Sequence, residues 1–139
     1  MSVKTKELSI HTRGEGDILD VTRAVADAVV ETKLRNGIVT VFVPGSTGAV
    51  TTIEYEPGLL KDFPNLLERV APKNLVYEHE KRWHDGNGHS HVRASLIGPS
   101  LTVPFANGRL TLGTWQQIVF MELDVHSRAR DLILQIIGE

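Results

Sequence analysis

Cysteine is absent from the 139 residues. That removes disulfides, zinc–thiolate sites and thiol catalysis together, and leaves imidazole, carboxylate and hydroxyl groups to carry any chemistry. An excess of one charge is also lacking. Fifteen Lys and Arg stand against 17 Asp and Glu, a formal net charge of −2, so no overall field draws the chain to nucleic acid or an anionic membrane. No stretch approaches the roughly 20 apolar residues of a membrane span, and no apolar run follows the positive charges of Met1–Lys6. The expectation is a cytoplasmic protein with neither nucleic-acid nor membrane partners. Linkers, low-complexity tracts and solenoid repeats are missing too. With 41% hydrophobic residues, enough for one real core, residues 1–139 read as a single domain.

What is there reads as short elements. Lys6–His11 alternates as a strand and is closed by the Arg13-Gly14-Glu15-Gly16 turn. Ile18, Val21, Val25, Ala28 and Val29 recur at helical spacing, with Asp17 or Asp20 as the cap and Asn36-Gly37 as a left-handed stop. Ile38–Val43 is apolar on both alternating faces, which predicts a strand covered on both sides. Val50–Tyr55 is a further strand. Pro57 opens a second helix through Val70, kinked or split at Pro64. Leu75–Glu78, Leu101–Phe105, Arg109–Leu112, Gln116–Leu123 and Leu132–Ile137 read as strands, and Asn107-Gly108 as a type I′ hairpin turn. Trp115 is expected in the core. Helices early and strands late predict an α+β fold.

Four of the six histidines, His79, His84, His89 and His91, fall within a glycine-rich stretch of 13 residues. Imidazole is the commonest neutral zinc ligand, and a catalytic zinc site uses three protein ligands and a water. His79 at a strand end could meet His89 and His91, provided the backbone at His89 is not helical, because residues two apart share a face only when extended. Asp85 and Asn87 can orient ligands or handle protons, and are also ordinary turn formers. Alternation sets Glu122 on the face of Ile118 and Phe120, where a carboxylate needs an arginine, a histidine or a metal as partner. Gly45-Ser46-Thr47-Gly48 can present N–H groups and hydroxyls to an anion but has no Walker lysine. Arg109 can bind phosphate or stand as a solvated edge residue.

Taken together, four blocks resemble the YjbQ family, also called the secondary thiamine-phosphate synthase family. They are Tyr77-Glu78-His79, Asp85-Gly86-Asn87-Gly88-His89-Ser90-His91, Ala94 to Ser100, and Gly108 to Gln116, with Ile137-Gly138-Glu139 closing the chain. The resemblance implies an α+β domain with a curved antiparallel sheet and two main helices, assembled as a homotrimer with sites near subunit contacts. It also implies a divalent metal, zinc by expectation, on residues matching His79 and His91, with His89 as the candidate third ligand. The implied activity is a weak thiamine-phosphate synthase, joining a pyrimidine pyrophosphate to a thiazole phosphate. Asp85 or Glu122 would then accept protons, and Ser46, Thr47, Asn87 and Arg109 would bind the small phosphorylated substrate. The alternative is a non-catalytic metal- or ligand-binding trimer. Two departures stand out: Gly45 where many members have histidine, and Asp85-Gly86-Asn87 with Glu122-Leu123 where many have Asp-Asp and Glu-His pairs.

Overall fold

A computed structural model describes residues 1–139. Five strands, β1 (Ser2–His11), β8 (Ala129–Gly138), β3 (Gly37–Phe42), β5 (Ser100–Ala106) and β6 (Arg109–Leu110), form one antiparallel sheet in that order. A second sheet takes β2 (Ile18–Asp20), β7 (Gln117–Glu122) and β4 (Gly48–Ile53), with β7 in the middle. Four helices complete the α+β fold: α1 (Thr22–Thr32), α2 (Leu59–Val70), α3 (Glu78–Trp83) and α4 (Gly88–Ile97). The fold class holds as expected, with two more helices than the sequence pattern predicts. No helix is long and apolar enough to cross a membrane.

The centre of the molecule is β7, because both of its faces are buried. Ile118 and Phe120 join Val39, Val41, Leu132, Leu134 and Ile136 of the larger sheet and Val25 and Val29 of α1 in one apolar cluster. Val119 and Met121 face the other way, onto Leu67 of α2 and Ala94 of α4. Each such fully buried side chain contributes about 1.5–3 kcal/mol relative to exposure.

Local chemistry sets the boundaries. Asp20 Oδ1 accepts the Thr22 N–H at 2.9 Å and so opens α1, whereas Asp17 turns its carboxylate to the Arg13 N–H. The helix stops earlier than expected, with Lys33 rather than Asn36-Gly37 in the left-handed conformation at φ 63°. Gly37 is needed for a different reason: a Cβ there would stand 2.1 Å from the Ile137 carbonyl oxygen. The hairpin turn is as expected, with φ of 52° and 75° at Asn107 and Gly108. Pro64 lies inside α2, which nonetheless runs unbroken.

Three expectations need correction. The outer face of β3 is open, since Ile38 and Phe42 are 40% and 41% exposed while Val39 and Val41 are fully buried. Trp115 is 70% exposed in the turn before β7. Leu75–Glu78 forms no strand; the chain there leads into α3, and Leu75 and Val76 are exposed.

Candidate functional site

The histidine stretch folds as a helical hairpin, α3 then α4, joined by a turn at His84–Asn87 in which His84 and Gly86 take positive φ of 55° and 70°. Glu80 locks the hairpin by accepting the Gly88 N–H, the first of α4, at 2.5 Å. Only glycine fits at 88, because a Cβ would lie 2.6 Å from that of Tyr77.

This locking brings His79 and His91 together, with ring centroids 4.5 Å apart. His79 Nδ1 lies 3.4 Å from Asp85 Oδ1 and 3.9 Å from Glu80 Oε1. Ligand-type atoms of His79, Glu80 and Asp85 all fall within 4.8 Å of one another. His79 Nδ1 is shut off from solvent and makes no hydrogen bond. An imidazole nitrogen buried without a partner beside two carboxylates is a donor set that suits a divalent cation.

His89 goes elsewhere. Because α4 is a helix, residues two apart point roughly 200° away from each other. The His89 ring is only 1% exposed and its Nε2 is engaged by the Glu15 carboxylate. Lys73 Nζ bonds the other Glu15 oxygen at 2.6 Å. Burial pushes the Glu15 carboxyl up, but the bonds from Lys73 and His89 outweigh it and hold the group below its usual range. The expectation of a non-helical backbone at His89, with its ring beside His79 and His91, is therefore corrected: His89 anchors α4 to the Arg13–Gly16 loop.

The carboxylate of Glu122 is fully buried and finds its partner in Arg130. Arg130 Nε donates to Oε1 at 3.1 Å and Nη2 to Oε2 at 2.5 Å, while the Thr12 hydroxyl donates to Oε1 at 2.8 Å. Arg130 Nη2 also donates to Thr47 Oγ1 at 2.9 Å, and that hydroxyl in turn donates to Asp124 at 3.2 Å. Thr47 is thus a buried strut of the loop, and Ser46 is its exposed member. Burial raises the Asp124 carboxyl, yet hydrogen bonds from Arg128 and the Val125 N–H bring it below the usual carboxylate range. With its amide nitrogen turned toward Asp85, Asn87 donates to both oxygens of that carboxylate at 2.8 and 3.2 Å.

Gly45, Ser46, His91 and Ser95 line a cavity of about 220 Å³. A larger one, about 400 Å³, opens under the Arg13–Asp17 loop against Tyr55 and Leu60. Only Glu15 ties that larger space to the histidines, so the smaller cavity is the one that adjoins the candidate ligands. Arg109 is far from the smaller cavity. It pairs with Ala106 at one end of β5, whereas Ser100 at the other end pairs with Phe42, just before the Gly45 loop. Six residue steps of strand separate these ends, about 20 Å.

Residues 6–139 match the family described as UPF0047 protein YjbQ-like. The chain belongs to the YjbQ family. Among YjbQ-family relatives, it is 42% identical over 124 residues to a UPF0047 protein of Methanothermobacter thermautotrophicus, covering 89% of this chain and 85% of that one. It is 35% identical to YugU of Bacillus subtilis, covering 96% and 98% of the two chains. The crystal structure of a YbjQ-like protein of unknown function from Sulfolobus solfataricus superposes with a TM-score of 0.89 at 29% identity, over 99% of this chain and all of that one. A YjbQ/UPF0047 protein from Clostridium acetobutylicum gives 0.85 at 36% identity, over 95% and 99%. Within this YjbQ-family fold, His79 meets His91 and Asp85, Asn87 meets Asp85, and Ser46 shares a cavity with His91; Thr47, next to Ser46, is tied to Glu122 through Arg130, and His89 and Arg109 stand apart. Sequence reasoning missed Arg130, although it is in phase with the buried Leu132, Leu134 and Ile136, a signal that places it on the inner face of β8.

Proposed function

We propose that this chain is a divalent-cation-binding protein acting on a small phosphorylated substrate, with His79, Asp85 and His91 as cation ligands and Ser46 on the substrate's side. The observation that carries the reading is the buried Nδ1 of His79, without a hydrogen bond, 3.4 Å from Asp85. Zinc is the metal and thiamine-phosphate synthesis the reaction that the family resemblance suggests for it. When bound, the cation would supply positive charge to a pyrophosphate leaving group.

The chain's own groups have separable parts to play. Asp85 is held by Asn87 on a partly exposed turn, where its carboxylate can take up a proton as well as face a cation. The exposed Ser46 hydroxyl can donate to a phosphoryl oxygen. Glu122, with both oxygens bonded inside the core, keeps the Thr47 strut in place and supports the loop that carries Ser46.

Homotrimer formation is part of the proposal. Val3, Ile137, Ile38 and Pro104 lie side by side across the outer face of the larger sheet, and Val3 is exposed like Ile38. Such an apolar row is the kind of surface a second copy covers; the number three rests on the resemblance.

Elemental analysis of protein purified without added metal or a metal-binding tag tests the cation site. About one divalent metal per chain is expected, and its loss in a His79→Ala, His91→Ala double variant. Equal metal in both proteins would overturn the assignment.

A further inference from the structure

A guanidinium carries five N–H donors. In Arg130, Nε uses its one on Glu122, and Nη2 uses its two on Glu122 and Thr47. The two donors of Nη1 have no acceptor anywhere in the chain, although Arg130 as a residue is only 8% exposed. Two donors of an otherwise engaged guanidinium are therefore free for an acceptor from outside the chain, water included.

The direction of Nη1 is given by a missing side chain. A Cβ at Gly45 would stand 2.9 Å from it, so glycine at 45 is what leaves Nη1 approachable. Gly45 is exposed, its backbone φ is not in the left-handed region, and it lines the cavity of about 220 Å³ beside Ser46, His91 and Ser95. The glycine therefore does not answer a backbone demand; its missing Cβ leaves room for Nη1 next to that cavity.

We propose that Arg130 is the anion-binding cation of this site, its Nη1 donating through the Gly45 opening to an oxygen of a phosphoryl group that also meets Ser46. The inference rests on the proposed function in its choice of phosphate as the anion. It replaces Arg109, which lies at the far end of β5, as the arginine in contact with substrate. The pair with Glu122 holds the guanidinium rigid, so little side-chain freedom is lost when the anion arrives.

The test is a titration of the metal-stripped, full-length protein with inorganic phosphate and pyrophosphate, followed by calorimetry or ³¹P line broadening. Wild type should bind, and Gly45→Val should bind at least ten-fold more weakly. Gly45→Ala places only the Cβ beside Nη1, and should show a smaller loss of the same sign should valine disturb the fold. Arg109→Ala should bind as wild type does. Absence of binding in wild type, equal binding in both Gly45 variants, or loss in Arg109→Ala would each overturn the proposal. Metal plays no part in this titration, so failure of the cation site shows in metal content alone and the two outcomes stay distinct.

Discussion

Arg130 of the five-stranded sheet reaches through the core and grips Glu122 of the three-stranded sheet, with N–O distances of 3.1 and 2.5 Å. The two sheets are therefore joined by one buried ion pair as well as by apolar packing. Removing one partner of such a pair leaves an uncompensated charge, and the usual cost is about 3–5 kcal/mol. Glu122→Ala should lose that much in urea denaturation, read as a lower midpoint at unchanged slope. A Glu122→Leu, Arg130→Met double variant should recover most of it. A Glu122→Ala protein as stable as wild type would show that the pair does not hold the sheets together.

Asp124 gives the acid side of the stability curve a defined shape. Its carboxyl is held below the usual range in the folded chain. The stability it adds is therefore fully present above the unfolded value of about 3.9, and is lost as pH falls from there through the lower folded value. Asp124→Asn should be about 1.5–3 kcal/mol less stable at neutral pH, the usual worth of a hydrogen bond to a charged group, with the gap closing below about pH 4. A gap of constant size from pH 7 to pH 3 would remove the charge from the explanation.

Asp85 should separate chemistry from folding. It sits on a partly exposed turn, so Asp85→Asn is expected to change stability by less than about 0.5 kcal/mol. In an assay that joins the pyrimidine pyrophosphate to the thiazole phosphate, the same change should lower the rate by about 10²-fold or more, the usual worth of a general base. Wild-type rate in the variant would remove Asp85 from the reaction.

The open outer face of the larger sheet predicts self-association. Light scattering at micromolar concentration should give three times the chain mass, and Ile38→Lys should reduce it to one chain that still unfolds cooperatively. A wild-type monomer would refute the assembly.

What the sequence disclosed, it disclosed through local chemistry. The Asn107-Gly108 turn is written in two residues that tolerate positive φ, and the strands β5, β7 and β8 in side-chain alternation. Glu122 could be recognised as needing a partner, because a carboxylate in phase with Ile118 and Phe120 cannot stay alone. The α3–α4 hairpin was hidden because its stability is tertiary. Gly88, Ser90 and His91 promise a loop by propensity, and α4 forms because Glu80 caps its first N–H and Glu15 holds His89. Once that segment is helical, His89 and His91 must part company, as their spacing already implied for a helix.

The ten-residue pairing of β1 with β8 also fixes an order of events during synthesis. Leu8 lies against Leu132, and β3 uses the other edge of the same strand. Neither β1 nor β3 can take its place beside β8 until residues 129–138 have been made, so the larger sheet closes last and over long sequence separations. Contacts of that range fold slowly, and until they close, the inner face of β1 and the edge of β3 stay open to any neighbouring chain. The nascent protein is most exposed to mispairing during that interval, and variants that delay β8 should show their defect in the yield of soluble protein before it is visible in the stability of what has folded.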